Sequence, residues 1–201
     1  YSLIHDDLPC MDDDDFRRGR PTSHKMFGEA MALLAGDGLL TGAFELMLGA
    51  EGGVPAENRL AAAYEIASAA GCFGMIGGQV LDLANQTEKA RPDGAEPFRV
   101  AAKQDLTQIN RLKTGALFRA SCRGGLLLAG IRKEKYLAAA ERFADALGIS
   151  FQIQDDILDV IGDSETLGKQ TGNDEKQGKA TYVALWGLEK AQSEVRRLTA
   201  Q

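Results

Sequence analysis

The chain has 201 residues, 44% of them hydrophobic and 26% charged, which is long enough to bury one substantial core and shows no disordered or fibrous bias. Its 23 basic residues against 29 acidic give a net charge of -6, which argues against non-specific attraction to nucleic acid or to an anionic membrane surface. An anionic ligand would have to be held locally, by metal or by placed cations.

Ala, Leu and Gly dominate, β-branched runs are scarce, and apolar residues recur at helical spacing, as at Phe143, Leu147, Phe151, Leu158 and Ile161. The expected fold is all-α. In chain order, helices are predicted over residues 1–8, 23–48, 56–85, 98–129, 133–161 and 179–199, separated by Gly, Pro, Asp and Asn at 17–22, 51–55, 91–97 and 162–178. No repeat and no composition shift marks a second domain, so one domain over 1–201 is expected. The stretches 30–43 and 61–78 are apolar around most of their circumference, as expected of helices at the centre of a bundle. No apolar run approaches the length of a membrane span, and nothing resembles a signal peptide. Cys10, Cys72 and Cys122 stand far apart in apolar surroundings without a CxxC pair, which suggests neither a disulfide framework nor a thiolate zinc site and fits a reducing cytoplasm. The chain opens without an initiator Met, inside what reads as an element, so a polypeptide incomplete at both ends is expected.

The first predicted helix runs into His5-Asp6-Asp7-Leu8-Pro9-Cys10-Met11-Asp12-Asp13-Asp14-Asp15-Phe16-Arg17-Arg18. Asp6 and Asp7 are adjacent on the helix, but Pro9 removes a donor and ends or kinks it, so a helical wheel does not place Asp12. A calcium loop starting at Asp12 fails, because Phe16 and Arg17 stand where that loop needs a ligand and then Gly. Asp13 and Asp15 read as solvated loop charge. Arg17 and Arg18 carry planar forks suited to diphosphate oxygens. Further on, Gly36-Asp37-Gly38 lacks the third Gly of a dinucleotide turn. Lys113 and Thr114 lie in a mostly apolar stretch, where the ammonium either snorkels to water or has a partner.

On the fifth predicted helix, Gln152, Asp155, Asp156 and Asp159 fall within an arc of roughly 100°. Like charges so placed repel, and apolar neighbours raise the cost of burying them. A bound hard cation offsets both, and Mg²⁺ bridging a few carboxylates to substrate phosphates matches a sparse, one-sided carboxylate face. An isolated DDxxD would be equally compatible with a solvated acidic stripe; a second acidic cluster makes that reading poorer. The segment 162–178 supplies Lys169, with Lys179 just beyond. Its glycine spacing does not fit a Walker loop, and a lid over a metal-diphosphate site suits the composition better.

Together these segments resemble the trans-isoprenyl diphosphate synthases, and among them the bacterial farnesyl diphosphate synthase branch, over essentially 1–190. Asp6-Asp7 through Asp12 looks like the family's first aspartate-rich motif in its form with two extra residues. Asp155-Asp156-Ile157-Leu158-Asp159 looks like the second. The resemblance implies an all-α orthogonal and antiparallel bundle with a central active-site cavity, a cytoplasmic homodimer without stable membrane association, and Mg²⁺ held by Asp6, Asp7, Asp12, Asp155, Asp156 and Asp159. It implies allylic and isopentenyl diphosphates as substrates, with Arg17 on the allylic and Arg18 on the isopentenyl diphosphate. Lys113, Thr114, Gln152 and Lys169 would hold the allylic substrate, with Lys179 nearby. Asp6, Asp155, Lys113 and Lys169 would act in catalysis by ionisation, condensation and elimination. Gln79 and Asp82 match a GQxxD segment and read equally well as a polar pair satisfied inside the bundle. Tyr1, five positions ahead of the first motif, would floor the pocket and imply a fifteen-carbon product. A helical wheel supports that only partly, since Tyr1 lies roughly 140° around from Asp6. The family's isopentenyl diphosphate anchor is expected upstream of Tyr1, and its final helices after the last one here. A geranylgeranyl or longer-chain synthase, a non-catalytic homologous subunit and a plain metal-buffering helical protein are the rival readings.

Overall fold

The computed structural model describes residues 1–85, 106–162 and 180–200, and among these the architecture is helical, as composition and periodicity predict. The elements are α1 (Ser2–Asp6), a two-residue hairpin of β1 (Phe16–Arg17) and β2 (Arg20–Pro21), α2 (Ser23–Phe27), α3 (Glu29–Gly49), α4 (Ala56–Ala70), α5 (Met75–Asn85), α6 (Leu106–Lys113), α7 (Gly115–Leu128), α8 (Glu134–Ile161), α9 (Tyr182–Trp186) and α10 (Leu188–Thr199). The described residues group into two compact units: residues 1–53 with 161–162, and residues 54–85, 106–160 and 180–200.

Several predicted helices are interrupted, each for an identifiable reason. The helix expected over 23–48 breaks at Gly28 (φ 85°), which ends α2 and begins α3. Gly187 (φ 80°) divides α9 from α10 in the same way. Such a left-handed, extended backbone is open to Gly and costly for other residues. Residues 71–74 interrupt the helix expected over 56–85, and Thr114 that over 98–129; residues 98–105 lie outside the described residues. The helix expected over 133–161 is continuous as α8.

In the first unit α1 and α2 pack on α3. The contact of α1 runs through His5, whose Nε2 lies 2.9 Å from the Leu33 carbonyl and 3.7 Å from an Asp37 carboxylate oxygen. Only glycine at position 36 admits this ring, since a Cβ there would come within 2.0 Å of it. The expectation that α3 lies buried at a bundle centre is not met: its buried residues are Ala32 and Gly36, while Leu33, Leu34, Leu39, Leu46 and Leu48 are exposed. Short α1 and α2 cover only the small-residue face. The expectation for 61–78 fails similarly, with Tyr64 and Phe73 exposed. Two stretches, Glu29–Gly49 and Ala56–Ala84, are also long and apolar enough to cross a membrane by length and composition alone, with mean hydropathies of 1.4 and 1.3. The sequence reading found no apolar run of that length; a window average tolerates acidic residues such as Asp37 and Glu45 that interrupt the run. The cysteines are free, as their spacing implies, but Cys10 and Cys72 are exposed rather than apolar in setting.

Among the described residues the second unit has two cores. One joins α8 to α9 and α10 through Ile153, Ile157, Tyr182, Ala191 and Leu198. The other packs Ala62 of α4, Leu127 of α7 and Leu137 of α8. Charged pairs cross the same contacts: Arg123 donates to both Glu65 oxygens, and Arg119 and Arg111 share Asp145. Two glycines set close approaches near the residues of chemical interest. A Cβ on Gly148 would lie 3.2 Å from the Gly115 Cα, and one on Gly78 would lie 2.2 Å from the Lys113 backbone nitrogen. The second distance cannot be relieved by rotating a side chain. Gly78→Ala is therefore expected to lower stability by about 1–3 kcal/mol despite alanine's better helix propensity, read as a lower urea midpoint at unchanged m. An unchanged or higher midpoint would mean that α5 and the end of α6 are not held this closely.

Candidate active site

Two groups of the expected site residues are assembled, one in each unit. In the first, α1 stops just before the acidic run. The chain turns through Pro9 so that the Asp12 amide donates to the Asp6 carbonyl at 2.9 Å, which returns Asp12 to the end of the helix. Asp7 is buried, and its Oδ1 accepts from Arg17 Nε at 2.7 Å and pairs with Arg17 Nη2 as well. Arg17 sits on β1, antiparallel to β2, with Arg17 opposite Arg20. The tight turn between them uses Arg18 (φ 54°) and Gly19 (φ 73°). A left-handed Arg costs about 1–2 kcal/mol relative to Gly, and the turn leaves its side chain exposed. Burial would lower the Arg17 guanidinium, but the hydrogen bond and charge of Asp7, helped by Asp6 and Asp14, outweigh it and hold Arg17 above its ordinary value. Tyr1 precedes α1 and sets its ring edge-on to His5, 6.1 Å between centroids; burial raises its hydroxyl above the usual range.

In the second unit the helix break at Thr114 brings the α6–α7 junction onto α8. Thr114 Oγ1 donates to Gln152 Oε1 at 3.2 Å, and Gln152 Nε2 donates to Asp156 Oδ1 at 3.0 Å. Asp156 Oδ2 then accepts the Tyr182 backbone N–H at 2.7 Å. Asp156 and Asp159 are buried while Asp155 is half-buried. Lys113 has a partner, since its Nζ lies 2.7 Å from Asp82 Oδ2, with both side chains half-buried. Gln79, one turn before Asp82, is half-buried, with its Nε2 atom buried and unpartnered. Lys169 and Lys179 lie outside the described residues.

The donors of both clusters are carboxylate oxygens, the hard ligand set that suits Mg²⁺, and Asp155 and Asp159 are one helical turn apart on α8. Sequence reasoning did not find the Tyr182 N–H to Asp156 bond, since a backbone donor has no side-chain signature. Nor did it find the pairing of Asp7 with Arg17, because a fork suited to diphosphate is equally suited to a carboxylate.

All of residues 1–201 match the family model described as polyprenyl synthetase. The chain is 49% identical over 199 residues to the farnesyl diphosphate synthase of Escherichia coli (strain K12), covering 98% of this chain and 63% of that protein. It is 42% identical over 190 residues to the geranylgeranyl diphosphate synthase of Cyanophora paradoxa, covering 94% of this chain and 60% of that one. Among solved structures it is similar to a geranyltransferase from Helicobacter pylori complexed with magnesium and isoprenyl diphosphate, with a TM-score of 0.84 and 36% identity, over 100% of this chain and 61% of that one. The chain thus spans less than two thirds of the length of these relatives. With the match running from the first residue to the last and through both aspartate-rich segments, the chain belongs to the polyprenyl synthetase family.

Proposed function

We propose that the protein is a Mg²⁺-dependent farnesyl diphosphate synthase, a geranyltranstransferase that condenses isopentenyl diphosphate with dimethylallyl or geranyl diphosphate. The observation that carries this reading is the chain of contacts from Thr114 through Gln152 to Asp156, which ties the Lys113–Thr114 junction to the carboxylate face of α8. Cation, hydroxyl, amide and carboxylates on adjoining elements make a diphosphate site, and 49% identity to a farnesyl diphosphate synthase supports it.

In this reading Asp6, Asp7 and Asp12, and Asp155, Asp156 and Asp159, hold Mg²⁺. The ion supplies charge stabilisation for the diphosphate leaving group. Lys113, Arg17 and Lys169 place further positive charge where the allylic diphosphate departs, Thr114 and Gln152 orient it, and Lys179 lies nearby. Arg18, presented by the hairpin turn, takes the isopentenyl diphosphate. No protein nucleophile is required, and helix walls keep water from the allylic cation. A homodimer in the cytoplasm without stable membrane association belongs to the same proposal; the exposed leucines of α3 are available for a subunit contact.

Chromatography of the products formed by the full-length protein from isopentenyl and geranyl diphosphates with Mg²⁺ is the direct test. Farnesyl diphosphate is expected, and failure to condense the two would overturn the reading. Asp6→Asn or Asp155→Asn should lower turnover by orders of magnitude with helicity intact, as should chelation of the metal.

The three carboxylates of the second motif are not equivalent. Truncating Asp156 would leave the buried Tyr182 N–H without its acceptor, so Asp156→Ala should also cost about 1–3 kcal/mol in stability. Urea unfolding of the metal-free protein isolates that effect. Wild-type stability in this variant would show that the bond to Tyr182 contributes nothing to the fold.

Product length has a second candidate, because a geranylgeranyl diphosphate synthase is 42% identical. If Tyr1 floors the pocket, Tyr1→Ala in the full-length protein should shift product from fifteen toward twenty carbons, since a small side chain opens room for another prenyl unit. An active variant that still stops at fifteen would remove Tyr1 from this role.

A further inference from the structure

Asp13 and Asp15 have no part in the proposed prenyl-transfer site. One carboxylate oxygen of each and a ring nitrogen of His24 nevertheless all lie within 4.8 Å of one another. Both aspartates are exposed, and His24 is buried with 6% of its surface accessible. Paired acidic groups on a loop mean little alone; the histidine changes the case.

The hydroxyl of Thr22 fixes the state of that ring. Thr22 Oγ1 lies 2.7 Å from the Asp14 carbonyl, which can only accept, so the hydroxyl proton goes there. His24 Nδ1, 3.1 Å from the same oxygen, must then be the donor and carry a proton. In the neutral ring this leaves Nε2 with a bare lone pair, and Nε2 is buried without any hydrogen-bond partner. With Nδ1 committed to Thr22, Nε2 is the nitrogen that keeps a lone pair for an ion. An imidazole with one N–H held by an oxygen acceptor and the other nitrogen bare is the arrangement found in metal-ligating histidines.

The spacing also fits. Around a tetrahedral ion with ligands at about 2.0–2.1 Å, ligand atoms stand roughly 3.3 Å apart, so exposed aspartates already within 4.8 Å need only small side-chain rotations. Asp15 Oδ1 is taken by Lys25 Nζ at 2.7 Å, which leaves the other oxygen for an ion. One imidazole nitrogen and two carboxylates form a borderline donor set that selects Zn²⁺ and its neighbours over Mg²⁺. We infer that Asp13, Asp15 and His24 form a divalent transition-metal site, separate from the Mg²⁺ carboxylates, that ties the acidic loop to α2.

Zn²⁺ titrated calorimetrically into the full-length protein in excess Mg²⁺ and without diphosphate tests this, since Mg²⁺ then fills the sites made only of carboxylates. One Zn²⁺ per chain is expected, with a rise in Tm. The double variant Asp13→Asn/Asp15→Asn should weaken it at least tenfold and abolish the rise. These positions are exposed, so the variant should fold; His24→Gln should weaken binding as strongly wherever circular dichroism shows native helicity. In the Co²⁺ form, pulsed electron paramagnetic resonance should show coupling to an imidazole nitrogen. Absence of Zn²⁺ binding above the Mg²⁺ background, wild-type affinity in the double variant, or no nitrogen coupling would each overturn the site.

Discussion

Asp156 is a carboxylate almost wholly withdrawn from water, and a charge in that position persists only when donors meet its oxygens. Gln152 meets one and the Tyr182 backbone meets the other. Much else in the second unit follows from that requirement. The bond to Tyr182 starts α9 against α8, over the core of Ile153, Ile157 and Tyr182, and the bond to Gln152 orients the amide that Thr114 also contacts. Asp7 presents the same problem in the first unit and has a different solution. There a single Arg17 fork meets the buried oxygen, and because Arg17 sits on β1, meeting it requires the hairpin. Removing Arg17 would leave the buried Asp7 charge uncompensated, which costs far more than the pair itself contributes.

Small residues do the complementary work of letting backbones come close. Gly36 admits the His5 ring against α3, and Gly78 admits the backbone of Lys113 against α5. The second contact explains how Lys113 reaches Asp82 across two helices, 2.7 Å from Nζ to Oδ2. Of the two outcomes open to an ammonium in a mostly apolar stretch, Lys113 shows the partnered one. Placement of this kind matters for charge chemistry, since an electrostatic contact acts well only when held before the reaction begins.

Periodicity made α8 legible from end to end, because a 28-residue helix with Ile153 and Ile157 on one side and carboxylates on another leaves no competing pattern. Pro9 correctly signalled that the acidic run would leave the helix, and the Asp12 amide does return to Asp6. The breaks at Gly28 and Gly187 were not legible, since helical spacing continues across both and an interior Gly costs only about 1 kcal/mol, too little to mark a stop. The exposure of α3 was misread for a different reason: composition reports how apolar a helix is, not which neighbours are there to cover it. Both aspartate motifs were visible as clusters, but their internal pairing was not. The sequence contains Asp7 and Arg17 without saying that one neutralises the other.

The two glycine breaks share a construction that links helix starts to acidic segments. Thr22 precedes α2, Gly28 ends it, and Ala32 one turn later is fully buried; Thr181, Gly187 and Ala191 repeat the arrangement around α9. A helix start leaves backbone donors without partners, and a five-residue helix has too few internal bonds to absorb that loss. Acidic segments supply the acceptors in both cases. The Thr22 amide donates to the Asp15 carbonyl at 3.0 Å, and the Tyr182 amide donates to the Asp156 carboxylate at 2.7 Å. Each short helix is therefore anchored through its first turn to a segment whose negative charge its positive end helps to offset.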